Sequence, residues 1–360
     1  MLTPVADAWE DWGPEQDVNT KAVMNEVLET ESQQLVVLNG DIITGENTYL
    51  KNSTHYVDQV VEPLLVRDLT WASTYGNHDG QYNLNGKDLL LREQQWPNAR
   101  TKNMIPGQGI GDTNYYLPVY SSNCTPSYYG NCTPMLLLWF FDSRGGFEFQ
   151  RLDASGDYVG RPNWVDAQVV DWFRNTSVSL AHQYNRSIPS LAFVNQPVHA
   201  SKEFQAQKEV DPNREPGIND DKPLAGQADG WCADGTQSES CDYGGQDEPF
   251  MDALASTPGL IAVFSGHDHG DTWCHKWNPN ANHIAASGSG INLCFGQHTG
   301  YGGYGSWIRG SRQVLLTEAM LENLEAETWI RVEDRSVVGH VSLNSTYGQD
   351  SYPATPNKHT

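Results

Sequence analysis

The sequence has no run of about 18 apolar residues, the length a helix needs to cross a bilayer, so nothing in it reads as a membrane span. Basic residues are scarce: 22 Lys and Arg stand against 45 Asp and Glu, for a formal net charge of −23. Such a field repels nucleic acid and anionic lipid, so neither is an expected partner. It would also repel a phosphate substrate unless bound cations reversed the sign locally, which is a first hint of metal. Internal repeats, low-complexity tracts and clear linkers are absent. The six cysteines show none of the C-x-x-C spacing of a zinc site. The opening residues, MLTPVADAWEDWG, have neither the basic nor the apolar region of a secretory signal.

What is present points elsewhere. Apolar residues make up 38% of the 360, with 12 Trp and 16 Tyr, enough for a large core. The cysteines fall in three near pairs, Cys124 with Cys132, Cys232 with Cys241 and Cys274 with Cys294. Local disulfides are the simplest reading, although six cysteines allow fifteen pairings. Six N-x-S/T sequons, at Asn52, Asn123, Asn131, Asn175, Asn185 and Asn344, exceed the chance expectation. Both features imply the secretory pathway, with a secreted or vacuolar protein. The lack of a visible signal then implies that the natural N-terminus lies upstream of Met1.

Periodicity sets out alternating elements. Residues 20–31 place Val23, Met24, Val27 and Leu28 on one helical face, and residues 54–69 and 163–182 also read as helices. Short apolar runs at 35–41, 134–142, 190–198 and 260–265 read as buried strands, as does the stretch entering Gly76. Strands alternating with helices indicate α/β layering. INLCF, SRQVLLTEA, ETWIRVED and SVVGHVSLN then follow as short strands, expected to pair antiparallel. Residues 200–250, rich in Asp, Gly, Pro and Asn, are expected to form a stapled loop or lid, and residues 347–360 a disordered tail behind a domain spanning 1–346.

Polar clusters stand where the apolar strands end: Gly40-Asp41, Gly76-Asn77-His78-Asp79, Asn195-Gln196-Pro197-Val198-His199 and Gly266-His267-Asp268-His269-Gly270. Ligand groups collect at this edge of an α/β sheet. One Gly-Asp is usually a turn, and a lone His is usually structural. Two His at i and i+2 on an extended segment point the same way, and four such clusters can converge on one metal site.

The ordered set GD, GNHD, apolar-x-x-H and GHDHG resembles the calcineurin-like metallophosphoesterases. Within them, DWGPEQDVN, LVVLNGDIITGENT, SGHDHGDTWC and HTGYGGYGSWIRG are similar to the fungal subgroup related to purple acid phosphatases. The resemblance covers roughly residues 9–345. It implies an α/β fold, a four-layer α/β/β/α sandwich of two packed mixed sheets. It also implies two metal ions (Fe, Zn or Mn) and hydrolysis of a phosphorylated small molecule or phosphoprotein by a metal-activated water. Position by position, Asp41 would bridge the metals, and Asn77, His199 and His267 would bind the second. His269 would bind the first. His78 would not be a ligand but would contact the phosphate or protonate the leaving alkoxide, with Asp79 orienting it. His298, in the Gly-rich loop at 295–305, would contact substrate, where the subgroup usually carries Arg in place of Gln297.

One block of the family pattern is missing. A strand ending in Asp-x-His should precede DWGPEQD and supply two ligands to the first metal. Here the segment reads MLTPVADAWED, and Pro4 disfavours a central strand. A truncated chain or a real loss of the first site would both explain this, with Asp7, Glu10 and Asp11 as weak substitutes. The expectation is one retained metal and weak or absent turnover. The nearest alternatives are phosphodiester or pyrophosphate hydrolysis, and a degenerate binding protein that keeps the fold.

Overall fold

The computed structural model describes residues 13–44, 53–124, 132–207, 210–278 and 290–360. Asp7, Glu10, Asp11, Asn52 and Asn131 lie outside the described residues. Along the chain run α1 (Gly13–Thr30), β1 (Val36–Asn39), α2 (Ser53–Leu65), β2 (Trp71–Thr74), α3 (Gly86–Glu93), β3 (Tyr115–Val119), β4 (Leu136–Phe141), β5 (Phe147–Leu152) and β6 (Tyr158–Gly160). Next come α4 (Ala167–Tyr184), β7 (Ser190–Val194), α5 (His199–Gln207), α6 (Glu248–Ser256), β8 (Leu260–Ser265), β9 (Cys274–Lys276) and β10 (Asn292–Phe295). The chain closes with β11 (Gly310–Leu315), α7 (Glu318–Asn323), β12 (Ala326–Val332) and β13 (Val337–Leu343).

The largest sheet has the order β3-β4-β7-β8-β10-β9. Strands β4, β7, β8 and β10 run parallel, flanked by the antiparallel edge strands β3 and β9. Both faces of this sheet are covered, which is why β4 reads as the unbroken apolar run LLLWFF. Its side chains alternate by the two-residue period of a strand. Leu137, Trp139 and Phe141 pack with Val169, Val170 and Phe173 of α4 and with Phe250 and Met251 of α6. Leu136, Leu138 and Phe140 pack with Ala326, Val341 and Leu343 of the β11–β12–β13 sheet. Pro118 is tolerated in β3 because that strand is an edge.

Parallel strands β1 and β2 form a separate pair, and their Val37 and Ala72 pack in one cluster with Ala326, Val341 and Leu343 of β12 and β13. Helix α1 lies against β11 and β12, and α1 and α2 close over β2 through Met24, Val61, Leu64 and Trp71. The layers are therefore helix, sheet, sheet, helix, as the α/β/β/α reading requires.

Two expectations change. INLCF is not part of the terminal antiparallel run. As β10 it pairs parallel with β8, and Cys294 stands opposite Cys274 in the antiparallel register with β9. The disulfide between those two cysteines staples this edge. Residues 347–360 are not a loose tail. Tyr347 is buried with its hydroxyl donating to the Cys274 carbonyl at 2.7 Å, and Ile308 N–H donates to the Lys358 carbonyl at 2.9 Å. Two aromatic anchors, Tyr347 and Tyr352, give this polar segment something to bury, which composition alone does not disclose. The other two disulfides join Cys124 to Cys132 and Cys232 to Cys241.

Candidate metal centre

Asp41 stands two residues beyond β1, with its backbone in the left-handed region at φ 49°. Gly40 before it has φ 84°, and a Cβ there would meet the Asn195 side chain at 2.5 Å, so only glycine fits. The Asp41 carboxylate accepts the backbone N–H of His78 at 3.0 Å and lies 3.9 Å from His267 Nδ1. Burial works against its charge, but His267 and His78 outweigh that and hold the carboxyl well below the usual range. His267 is itself left-handed, at φ 70°, a strained conformation for a residue with a side chain. Burial disfavours its charge too, yet Asp41 and Asp268 draw its pKa upward.

Asp79 is fully buried and ties two ligand loops together. Its oxygens accept Ile42 N–H at 2.7 Å, Ile43 N–H at 3.1 Å and Gly76 N–H at 2.8 Å. The sequence suggested that Asp79 orients His78. Its carboxylate braces the Asp41 loop against the Gly76–Asn77 loop, which carries His78. Burial and the neighbouring Asp41 charge push its pKa up to about 8, against the pull of those backbone donors. His78 Nδ1 lies 3.4 Å from Gln81 Nε2, at the mouth of the same loop. The amide oxygen of Asn77 is shut away from solvent with no hydrogen-bond partner.

His269 is held by the Gly-rich loop. Its Nδ1 lies 2.9 Å from the Tyr304 carbonyl, which fixes the proton there and leaves Nε2 as a free lone pair. Its ring is sandwiched between Tyr304, at 4.2 Å, and His298, at 3.7 Å. Gly303 is required by this packing, since a Cβ would meet His269 Cε1 at 2.5 Å. Burial pushes the His269 imidazole down to about 4, so it is neutral and available as a ligand at neutral pH. Both ring nitrogens of His298 are buried without a partner.

His199 sits at the start of the helix after β7. It opens α5, donates its N–H to Asp247 at 2.7 Å, stacks on Tyr243 at 3.5 Å and has Nδ1 3.3 Å from Asp229. Tyr243 and Asp229 both belong to the segment expected to be a lid, so that segment packs around His199 rather than standing free. Asn195, directly after β7, reaches the Asp41 loop instead: its Nδ2 donates to the Asn39 carbonyl at 3.0 Å and lies 3.4 Å from Asp41 Oδ2. Strand-end counting is the signal for it. Asp41 and His267 lie two residues past their strands and Asn195 one, whereas His199 lies five past and inside a helix.

A cavity of about 220 Å³ joins Asp41, Asn195, His267, His269 and His298. Among the described residues, no three or more His, Cys, Asp or Glu side chains stand close enough to hold a metal ion. The donors present are of mixed kind: the Asp41 carboxylate, the His267 imidazole, the unpartnered Asn77 and Asn195 amide oxygens, and His269 across the cavity. Buried oxygens without partners beside a charged carboxylate fit a bound cation.

The family model for calcineurin-like phosphoesterases matches residues 11–271, and the chain belongs to that family. Probable inactive purple acid phosphatase 14 of Arabidopsis thaliana is 23% identical over 342 residues, covering 89% of this chain and 74% of that protein. Probable inactive purple acid phosphatase 29 of the same plant is 24% identical over 344 residues, covering 89% and 75%. Phosphatase DCR2 of Saccharomyces cerevisiae is 24% identical over 286 residues, covering 78% of this chain and 42% of its own length. A dimetal phosphatase from Danio rerio shares the fold, with a TM-score of 0.53 at 14% identity, covering 93% of this chain and 90% of that one. No described helix is long and apolar enough to cross a membrane.

Proposed function

We propose that this chain is a metal-dependent phosphoester hydrolase acting on phosphomonoesters in the secretory pathway. The observation that carries this is that Asp41, His267 and His269, from two strand ends, line one cavity, with the Asn77–His78 loop of a third strand end tied to Asp41 through the His78 N–H. Bound metal would supply the charge that stabilises the phosphoryl oxygens and activates water. The protein's own part is to hold the donors with Asp79, Asn195 and Tyr304, and to offer His78 as the proton source for the leaving alkoxide. Phosphorylated small molecules or phosphoproteins are the substrate class, and Fe, Zn or Mn the metals that suit mixed N and O ligation. The three disulfides and the exposed sequons Asn123, Asn175 and Asn185 support an oxidising, glycosylating compartment.

The test is turnover of a nitrophenyl phosphate monoester and of the matching diester by metal-loaded protein, beside a His78→Ala variant. Monoester turnover that falls about 100-fold or more in the variant supports the proposal. Preference for the diester moves the reading to a phosphodiesterase. A second reading, a binding protein that has lost catalysis, is favoured by the lack, among the described residues, of three or more His, Cys, Asp or Glu grouped to hold a metal, and by the Arabidopsis relatives, whose names call them probable inactive. Phosphate binding without turnover would establish it.

A further inference from the structure

We infer that Asp221, in the segment between α5 and α6, is a positioning residue for His269. Through the Tyr304 hydroxyl and the Gly270 N–H, its carboxylate fixes the tautomer and direction of that imidazole. This rests on the reading of His269 as a metal ligand and goes further by naming what holds it in a binding posture.

The need for an outside anchor starts in the sequence. Tyr304 stands in the run Tyr301-Gly302-Gly303-Tyr304-Gly305, with Gly303 at φ 80° before it and Gly305 at φ 83° after it. Glycine leaves the backbone free, so neighbours along the loop do little to fix where the Tyr304 ring and carbonyl lie. Yet His269 depends on both. Its Nδ1 lies 2.9 Å from the Tyr304 carbonyl, and the two rings stack at 4.2 Å with 10° between their planes.

Asp221 supplies the anchor. Its Oδ2 accepts the Tyr304 hydroxyl at 2.6 Å and the Gly270 N–H at 2.8 Å. The Tyr304 hydroxyl oxygen in turn accepts the His269 N–H at 3.2 Å. One carboxylate oxygen therefore ties the residue after His269 to the residue that caps its ring, and the bonds close a circle through His269 itself. The hydroxyl proton is committed to Asp221, which leaves an oxygen lone pair for the His269 N–H. With the main chain of 269–270 and the Tyr304 ring held together, the Tyr304 carbonyl stays in line with Nδ1. The imidazole proton stays there too, and Nε2 is kept as a lone pair.

The preceding residue, Asp220, provides a contrast. Its Oδ2 accepts Trp307 Nε1–H at 2.8 Å and Asn357 Nδ2–H at 2.5 Å. This carboxylate fastens the same segment to the same Gly-rich loop, but its bonds go to Trp307 and Asn357 and not to Tyr304, Gly270 or His269. General support of the segment and control of His269 can therefore be separated between two adjacent aspartates.

The experiment reads the His269 tautomer by long-range proton–nitrogen NMR correlation on metal-free protein with isotope-labelled histidine. Its signal is assigned by its loss in His269→Gln. The same proteins are titrated with ZnCl2 by calorimetry. In the wild type, His269 should carry its proton on Nδ1. Asp221→Ala and Tyr304→Phe should each give a mixture of tautomers and weaken Zn²⁺ binding about tenfold. Asp220→Ala should leave both readouts unchanged. Wild-type tautomer and affinity in Asp221→Ala overturn the assignment, and so does an equal loss in Asp220→Ala. A wild type that binds no Zn²⁺ overturns the metal reading of the site instead, and the tautomer then decides the role of Asp221 by itself. Should Asp221→Ala fail to fold, as judged by circular dichroism, Tyr304→Phe decides, because it keeps the ring and the carbonyl and removes only the hydroxyl: an unchanged tautomer there overturns the assignment.

Discussion

The two sides of the site are held by different physics. On the six-stranded side, every residue of β4, β7 and β8 is buried, and aromatic rings interlock over them. Phe173 meets Trp139 at 4.8 Å and Phe141 at 5.0 Å, both edge-on. On the other side β1 has all four residues only half-buried, and the cavity runs along it between Val37–Asn39 and Ser311, Arg312 and Val314 of β11. That side is secured by two buried acids. Asp79 gathers three backbone donors, and the Glu93 carboxylate accepts from Trp71 Nε1, Ser73 Oγ, Tyr75 Oη and Thr101 Oγ1 at 2.7–2.9 Å. His267 and His269 therefore rise from a rigid apolar platform, while Asp41 and Asn77 depend on hydrogen bonds to buried carboxylates. Apolar packing and polar bracing respond differently to the loss of a single side chain, so the two halves of one site should fail in different ways.

The strongest way to break this comparison is on the apolar side. Phe173→Ala should lower global stability by about 3–5 kcal/mol in a urea melt, the usual cost of deleting a fully buried ring. Next comes Glu93→Ala, which strands four donors and should cost about 2–3 kcal/mol. Its distinguishing mark is local: amide exchange should quicken in β1 and β2 before it does in β7 and β8. Uniform exchange would mean that the two sides unfold as one unit. Val37→Ala, on the half-buried strand, should cost only about 1 kcal/mol, because its site is already open to the cavity.

The last test is the pH dependence of the metal-free protein, read by its direction. Burial raises the pKa of Asp79 to about 8 and raises that of Glu93 as well. The folded state therefore keeps protons that the unfolded state has released, and stability falls as pH rises from about 4 towards 8. In β1 and β2 the loss comes from Asp79 and Glu93, and on the six-stranded side from Asp271, whose pKa burial also raises to about 8. A melting midpoint that rises over that interval would contradict the account.

Much of this architecture is legible in the chain itself. The unbroken run LLLWFF can only suit a strand covered on both faces, and GHDHG after LIAVFS sets two imidazoles on one extended segment. Gly-Asp and GNHD after apolar runs place the Asp41 and Asn77 loops at strand ends. That His199 opens a helix five residues past β7 was not legible, because the apolar run gives no sign of where the strand ends at Val194. Pairing of β10 with β8 was also hidden, because parallel partners are set by packing and not by neighbours in sequence.

By itself the sequence determined the layered α/β class, the strand ends that carry Asp, Asn and His, and the three cysteine pairs. Those follow from local periodicity, turn chemistry and short separations along the chain. Only the tertiary structure decided which amide faces the Asp41 carboxylate, that Asp79 and Glu93 brace β1 and β2, and that residues 347–360 are tied to the domain. Each of these depends on groups far apart in sequence meeting at hydrogen-bond distance, and a one-dimensional pattern does not encode such a meeting.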